Sequence, residues 1–208
     1  MRLFFVLLIT LALTGIAACE RKQMPVAGGD IKFSPVETLF KNSDVTGLDY
    51  AKDFALTDHN GKARTLADFR GKVVLIFFGY TQCPDVCPTT MAELAAVMKQ
   101  LGPKADGVQV LFVTLDPARD TQALLAKYVP SFDPRFLGLR GDPAATEKVA
   151  KEFKVFFQKV PGKTPDSYSI DHTAGSYVFD SQGRVRLFVR HGQGGAPLVH
   201  DLEILLQK

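Results

Sequence analysis

The chain has 208 residues, of which 25 are Lys or Arg and 22 are Asp or Glu, and its formal net charge is +3. Acidic and basic residues are interspersed, so this small positive excess argues against nucleic acid as a partner. This chain length is enough for one domain of ordinary size with a full core, and we expect no second domain.

The N-terminus has the pattern of a secretory signal. Arg2 precedes an apolar stretch at residues 3–13 that is too short for a comfortable membrane span. Residues 16–19, Ile-Ala-Ala-Cys, resemble the bacterial lipobox, in which the cysteine is acylated and becomes the first mature residue. We therefore expect a signal peptide over residues 1–18 and a lipid anchor on Cys19, which would hold the protein at a membrane of the bacterial cell envelope, facing the periplasm or the exterior. The alternative is an uncleaved or ordinarily cleaved signal that leaves a free thiol.

Residues 19–48 show no sustained periodicity and are interrupted by Gly and Pro, which predicts a tether leading to one folded domain over residues 49–208. The domain is predicted to open with a β-hairpin around Asn60-Gly61, a strong reversal signal. An apolar run at residues 73–78 follows without alternation, as is typical of a strand buried on both faces.

Helices and strands alternate through the rest of the domain. An apolar stripe begins after Pro88 and predicts a helix that stops at Gly102-Pro103. The further predicted elements are a buried strand at 108–115, helices at about 121–128 and 144–153 separated by a loop rich in Pro, Asp and Gly, a strand at 155–160, a loop or hairpin tip at 161–169, an antiparallel hairpin at 176–179 and 185–190, and a helix at 198–206. This order indicates an α/β fold with a parallel sheet covered on both faces.

The most specific chemistry lies in the run at residues 79–88, Gly-Tyr-Thr-Gln-Cys-Pro-Asp-Val-Cys-Pro, directly after the first buried strand. Cys83 and Cys87 are about one helical turn apart, so their sulfurs can converge within reach of a disulfide or a shared metal ion. Two thiolates suit Cu(I) or redox exchange, and the amides of a helix start favour the thiolate form. The alternative is a pair of buried neighbouring cysteines without chemistry, which the flanking prolines and the charged Asp85 disfavour.

Together with Thr-Leu-Asp-Pro-Ala-Arg-Asp at 114–120 and Asp-His-Thr at 171–173, this run closely resembles the Sco/SenC proteins. These are thioredoxin-like, copper-binding factors for cytochrome c oxidase assembly, and the three passages span most of the mature domain. The resemblance implies a thioredoxin-like fold with an N-terminal β-hairpin and an inserted loop or hairpin before the late strands. It also implies that Cys83, Cys87 and His172 bind copper, both as Cu(I) and as Cu(II). By position alone, His172 would be a polar loop residue about as often as a ligand.

Two carboxylates near these passages receive lesser roles. Asp85 is expected outside the ligand shell, because an oxygen ligand would suit Cu(I) poorly. Asp116 follows the second buried strand, at the carboxyl end of the sheet where sites collect in open α/β folds. Arg119 is expected to form a structural salt bridge with Asp116 or Asp120.

The remaining polar and aromatic residues near the motifs are assigned structural roles or none. Tyr80 and Phe78 are expected to pack beside the site. His59, beside the hairpin turn, and His191, at a strand end, are expected to be solvated, and His200 is assigned no role.

The leading functional hypothesis is a membrane-anchored copper metallochaperone that delivers copper to the binuclear copper site of cytochrome c oxidase during assembly. Its partners would be the copper-binding subunit of that oxidase, the membrane, and either another periplasmic copper chaperone or a thiol reductase; a monomer is expected. Three residues separate the cysteines where thioredoxin has two, and the turn at 171–173 lacks the proline usual in oxidoreductases of that fold. The missing proline, with a histidine nearby instead, favours metal handling over general disulfide exchange, and redox work on one dedicated partner stays open.

Three alternatives use the same residues. A thiol–disulfide reductase that keeps the oxidase's copper-ligand cysteines reduced would use Cys83 and Cys87 as a redox pair and would not need His172. A peroxidase is suggested by the Phe-Phe-Gly-Tyr-Thr sequence, which also resembles peroxiredoxins. A sensor of copper or redox state would share all three ligands with a chaperone.

Overall fold

The computed structural model describes residues 39–164 and 167–207. In this part of the chain the strands are β1 (Ser43–Asp44), β2 (Leu56–Asp58), β3 (Ala63–Arg64), β4 (Val73–Gly79), β5 (Val108–Thr114), β6 (Leu137–Arg140), β7 (Phe157–Pro161), β8 (Tyr168–His172), β9 (Gly175–Phe179) and β10 (Val185–Arg190). The α-helices are α1 (Val86–Leu101), α2 (Gln122–Tyr128), α3 (Pro143–Glu152) and α4 (Gly195–Leu206). No described helix has the length and apolar character needed to cross a membrane. The predicted signal peptide over residues 1–18 and the predicted anchor Cys19 lie outside the described residues.

Eight strands form one mixed sheet in the order β1-β10-β9-β4-β5-β6-β2-β3. At its centre β4 runs parallel to β5 and antiparallel to β9. The register pairs Val73 with Val108 and Gly79 with Thr114, so β4 and β5 end together at the same edge of the sheet. The predicted α/β class, the first hairpin and both buried strands are confirmed.

Each face of the sheet carries its own apolar core because successive side chains of a strand point to opposite faces. Phe77 packs with α1 and α4 on one face, among the buried residues Met91, Leu94, Leu198 and Leu202. Phe78 packs on the other face with residues of α3 and its end, among them Val149, Ala150 and Phe153. The continuous apolar run of β4 therefore serves two cores, which explains why it does not alternate.

The folded domain begins earlier in the chain than residue 49. Ser43 pairs with Phe188 on β10, and Phe40 is buried. The buried carboxylate of Asp201 on α4 accepts hydrogen bonds from the backbone amides of Lys41 and Asn42, each at 2.8 Å. The folded domain therefore includes residues that the sequence assigned to the tether at 19–48. The sequence did not reveal β1, because a strand of two residues leaves no periodicity.

The loop predicted between the second and third helices contains a further strand, β6, that the sequence did not indicate. Its four residues include Gly138, where an added Cβ would lie 3.0 Å from a methyl carbon of Val129. β6 extends the parallel part of the sheet and pairs on its other side with β2. The strand was missed because it is short and contains a glycine that is needed for packing.

The inserted segment before the late strands is a β-hairpin. β7 and β8 pair antiparallel as a separate two-stranded sheet, with Phe157 opposite His172. This confirms the predicted insertion and places His172 at the last position of a strand.

The histidines outside the motif differ in their environments. His59 is buried, and its Nδ1 accepts a hydrogen bond of 3.0 Å from the amide of Gly138, so the prediction that it is solvated is wrong. Burial also lowers its pKa, which favours the neutral ring. His191 is exposed and its Nδ1 lies 3.1 Å from Oγ1 of Thr90, whereas exposed His200 contacts Asp201.

Candidate metal centre

The two cysteines lie where β4 ends and α1 begins. The chain turns after Gly79, the amide of Cys83 donates to the carbonyl of Tyr80 at 3.3 Å, and Cys87 occupies the first turn of the helix. Gly79 has a steric role here, because an added Cβ would lie 2.9 Å from Sγ of Cys87. Cys87 is completely buried and Cys83 partly so, and both are thiols that are not joined as a disulfide.

The tertiary structure brings the predicted histidine to this pair. Sγ of Cys87 lies 3.7 Å from Nε2 of His172, and Sγ of Cys83 accepts the amide N–H of Cys87 at 3.4 Å. Nδ1 of His172 is 3.1 Å from the carbonyl oxygen of Thr173. Because a carbonyl can only accept, this contact assigns the proton to Nδ1 and directs the lone pair of Nε2 towards Cys87.

Desolvation favours the uncharged forms of buried Cys87 and of partly buried His172. It raises the pKa of the Cys87 thiol well above the ordinary value, against a smaller lowering effect from the backbone of Tyr80. The prediction that the helix amides favour the thiolate is therefore wrong for Cys87, since desolvation raises its pKa by more than the amides lower it. Burial likewise lowers the pKa of His172. A metal ion that binds Cys87 must displace its proton, so metal binding and proton release are coupled.

Aromatic rings enclose the inner side of the site. The rings of Tyr80 and Phe77 approach His172 edge-on, with centroid distances of 6.2 Å and 6.4 Å. Tyr80 is confirmed as packing beside the site. Phe78 is not, because it points to the opposite face of the sheet, where its ring centroid is 5.2 Å from that of Phe153.

The outer side of the site is an open cleft between the cysteine loop and β8. Its walls include Cys83, Pro84, Ile170 and His172, and the carboxylate-bearing residues Asp85 and Asp171 lie on the rim. Asp85 is exposed, and its carboxylate accepts a hydrogen bond from the hydroxyl of Thr89 at 3.4 Å. Asp85 thus lies at the mouth of the cleft. Its place outside the copper ligands remains a prediction.

Asp116 contacts the hairpin that carries His172. This buried carboxylate accepts a hydrogen bond of 2.8 Å from the hydroxyl of Tyr168 and forms an ion pair with Arg119. The expected salt bridge of Arg119 is therefore made with Asp116. Any influence of Asp116 on a bound metal would pass through Tyr168 and β8.

Asp120, which the sequence offered as a possible partner of Arg119, instead holds the start of the cysteine loop. Its buried carboxylate accepts hydrogen bonds from the amide of Thr81 at 3.0 Å and from the hydroxyls of Thr81 and Thr114, both at 2.5 Å. Burial raises the pKa of Asp120 despite these hydrogen bonds. Its hydrogen bonds to Thr81 and Thr114 were not predicted, because the sequence signal was only its place at the end of the 114–120 passage.

The donor set fits copper better than structural zinc. Two sulfurs and one imidazole nitrogen suit Cu(I) and are accepted by Cu(II), whereas structural zinc takes four protein ligands. Among the described residues, no group of three or more His, Cys, Asp or Glu side chains has the geometry to hold a metal ion without adjustment. The three donors are therefore neighbours that side-chain adjustment would bring together.

Comparison with known proteins identifies relatives over most of the domain. Residues 43–207 match the SCO1/SenC family. The mitochondrial SCO2 homologue of Bos taurus is 42% identical over 133 residues, which is 63% of this chain and 50% of that protein. The SCO2-like protein of Rickettsia felis is 36% identical over 133 residues, covering 64% of this chain and 65% of that one. The chain spans about half the length of the mitochondrial relatives that it matches.

Solved structures show the same fold. Bradyrhizobium japonicum ScoI with copper bound is 44% identical and has a TM-score of 0.68, covering 74% of this chain and 97% of that one. Yeast Sco1 with copper bound is 30% identical with a TM-score of 0.68, covering 75% and 87%. The apo Sco1 protein of Thermus thermophilus is 39% identical with a TM-score of 0.69, covering 79% and 98%. The thioredoxin-like fold is thus confirmed, and the match over residues 43–207 shows that this chain belongs to the SCO1/SenC family.

Proposed function

We propose that this protein binds one copper ion through Cys83, Cys87 and His172 and delivers it to the binuclear copper site of cytochrome c oxidase during assembly. The observation that carries the proposal is the approach of Cys87 Sγ to His172 Nε2, 3.7 Å, beside a cleft that also exposes Cys83. The copper-bound structures of ScoI and Sco1 from related chains support copper as the cargo.

The arrangement suits a carrier that must release its metal. Two thiolates and one imidazole hold Cu(I) without filling a tetrahedral coordination sphere, so an incoming ligand from an acceptor can bind before the carrier's ligands leave. The rings of Phe77 and Tyr80 close the inner side, and the cleft leaves the outer side accessible. Each thiol gives up a proton when copper binds and can recover one when copper leaves.

We further propose that acylated Cys19 anchors the chain to a membrane of the bacterial cell envelope, with the domain facing the periplasm or the exterior. The support is the sequence pattern of residues 1–19. An anchor there would keep the carrier near its proposed partner, the copper-binding subunit of a membrane-embedded oxidase. Metabolic labelling with a radioactive fatty acid should label the wild-type chain and leave Cys19→Ala unlabelled.

The test of copper binding uses the full chain, reduced and purified in detergent. Cu(I) would be competed against a calibrated chelator, and Cu(II) followed by its thiolate charge-transfer absorption. We expect one copper per chain, loss of tight binding in Cys83→Ser and Cys87→Ser, and a loss of at least about tenfold in His172→Ala. His191→Ala is the matched control, because that exposed histidine contacts Thr90 instead of a cysteine. Tight binding that survives all three ligand substitutions would refute the proposal.

A second candidate function is reduction of a disulfide on the oxidase. The adjacency of the thiols favours it, since the amide of Cys87 reaches Sγ of Cys83 at 3.4 Å. The two thiols would become a disulfide while two electrons and two protons pass to the target disulfide. Rapid reduction of an oxidised copper-ligand peptide by the copper-free chain, undiminished in His172→Ala, would favour this function over copper delivery.

A further inference from the structure

The strand that carries His172 is not part of the main sheet. Within the described ranges, the backbone ladder of β8 is made with β7 alone. The two-residue connection to β9 ties the His172 end of β8 to the main sheet, and side-chain contacts join the Tyr168 end to the domain. On β8, alternate residues Tyr168, Ile170 and His172 share one face, because side chains of a strand repeat every two residues.

Arg119 makes several of these side-chain contacts at once. Its Nη1 donates to the carbonyl of Tyr168 at 2.9 Å, and its guanidinium carbon lies 3.5 Å from the centroid of the Tyr168 ring. Its Nε pairs with Asp116, which in turn accepts the hydroxyl of Tyr168 at 2.8 Å. Tyr168 is thus held at its backbone, at its ring and at its hydroxyl.

The same guanidinium also reaches the cysteine loop. Nη1 of Arg119 lies 3.3 Å from Oε1 of Gln82, the residue before Cys83. Arg119 therefore contacts both segments that carry the proposed ligands, and it does so from a third segment, the loop between β5 and α2. Its side chain is largely buried, with 20% exposed, so these contacts are shielded from water more than a surface pair would be.

We propose that Arg119 is a positioning residue for copper binding. By fixing Tyr168, it sets the orientation of the strand face that Tyr168 and His172 share, and thereby the approach of His172 to the cysteines. This inference rests on the proposed function. Tyr168 lies four residues from His172, or about 13 Å along an extended strand, so Arg119 acts through the strand and does not itself contact the metal. A rotation of β8 at Tyr168 would turn the whole shared face, His172 included.

The contacts require an arginine. A guanidinium is planar and can donate in several directions while one face stacks on a ring, whereas a lysine ammonium is a point charge on a flexible stem. Arg119→Lys keeps the charge beside the buried carboxylate of Asp116 but cannot reproduce the stacking and the two-sided donation. Since residues that orient a metal ligand typically affect metal affinity 10- to 100-fold, we expect copper binding to weaken by about that factor.

The experiment compares the full-length wild-type chain with Arg119→Lys in the copper titration. Two readouts are needed: Cu(I) affinity by chelator competition, and the nitrogen hyperfine structure in the electron paramagnetic resonance spectrum of the Cu(II) form. We expect Arg119→Lys to lose affinity and to lose the nitrogen signature, as His172→Ala does. The double variant Arg119→Lys/His172→Ala should bind no more weakly than His172→Ala alone, because both changes remove the same ligand.

Two further variants guard against a loss of folding. Arg140→Lys is the matched control, since Arg140 donates to the carbonyls of Pro117 and Asp120 in the same loop without a contact to β8, and it should keep wild-type affinity. Tyr168→Phe removes only the hydroxyl that donates to Asp116 and should lose affinity at the lower end of the range, about tenfold.

The outcomes separate this inference from the proposed function. Wild-type affinity and an intact nitrogen signature in both Arg119→Lys and Tyr168→Phe would overturn the role of Arg119 and leave copper binding by Cys83, Cys87 and His172 in place. A further loss in the double variant beyond His172→Ala would also overturn it, since Arg119 would then act by another route. Failure of the wild-type chain to bind copper would overturn both.

Discussion

Cys87 and His172 are 85 positions apart in the chain, yet Sγ of the first lies 3.7 Å from Nε2 of the second. Cys87 is placed by the first turn of α1, and His172 by the end of a hairpin inserted before β9. The contact joins two polar groups within a largely aromatic surrounding, where burial disfavours the charged form of each. A soft cation that replaces the thiol proton would relieve that penalty by pairing with the thiolate.

The two cysteines should differ sharply towards an alkylating reagent. Only a thiolate reacts, and burial both shields Cys87 and raises its pKa, whereas Cys83 lines the open cleft. In the copper-free chain at pH 8 we expect iodoacetamide to modify Cys87 at least about 100-fold more slowly than Cys83, because each pKa unit above the pH lowers the thiolate fraction tenfold. Peptide mapping by mass spectrometry over time gives both rates. Equal rates in the folded chain would contradict the burial of Cys87, while equal rates in urea are the expected control.

Gly79→Ala should disturb the site by overpacking. The new methyl group would lie 2.9 Å from Sγ of Cys87 and 3.1 Å from ring atoms of both Phe77 and Phe112. We expect a loss of about 1–3 kcal/mol in the free energy of unfolding, measured in urea, together with weaker copper binding. Gly195→Ala is the comparison variant: its added carbon would lie 3.1 Å from a methyl carbon of Val97, away from the cysteines, so it should cost less stability and leave copper affinity unchanged. Unchanged stability and copper affinity in Gly79→Ala would show that the turn can move away from the sulfur.

Asp58 should contribute stability that depends on pH. Burial by itself would raise its pKa, but hydrogen bonds from the amides of Lys62 and Asn60 and from Arg64 outweigh burial and hold the pKa below its usual value. Since the pKa is lower in the folded than in the unfolded state, the stabilisation is fully present above the unfolded-state value of about 3.9 and is lost as the pH falls through the folded-state value.

The measurement for Asp58 is urea unfolding of wild type and Asp58→Asn across pH. We expect the variant to be less stable by about 1.5–3 kcal/mol at pH 7, with the difference shrinking below pH 4. The control Glu147→Gln changes an exposed carboxylate on α3 and should shift stability by less than about 0.5 kcal/mol at any pH. A difference for Asp58→Asn that stays constant down to pH 2 would contradict the lowered pKa.

Asp201 should hold the entry segment of the domain. Its buried carboxylate accepts the amides of Lys41 and Asn42 and also the side-chain amide of Asn42 at 2.9 Å. Asp201→Ala leaves these donors without their acceptor, so we expect a loss of about 2–4 kcal/mol in unfolding free energy. Hydrogen exchange of the residue 41 and 42 amides should become much faster. His200→Ala removes a 2.8 Å contact to Oδ1 of Asp201 but keeps the carboxylate, so it should cost less stability and leave exchange of both amides slow. Slow exchange in Asp201→Ala would show that β1 needs no such anchor.

The sequence by itself determined the elements that carry a strong local pattern. The unbroken apolar run of β4, the stripe of α1 and the Asn-Gly turn of the first hairpin each express a local preference, and each forms as predicted. The adjacency of Cys83 and Cys87 is of the same kind, because a spacing of four residues at a helix start is a local distance. His172 came from the family resemblance, since its position in the chain gives no chemical signal.

Only the tertiary structure decided the features that depend on distant neighbours. β1 and β6 are too short to show a period and exist because β10, β2 and β5 pair with them. The environment of His59, buried against Gly138 of β6, follows from that pairing. The raised pKa of Cys87 and the hold of Arg119 on Tyr168 depend on burial and on contacts between segments far apart in the chain, neither of which is encoded in a local pattern.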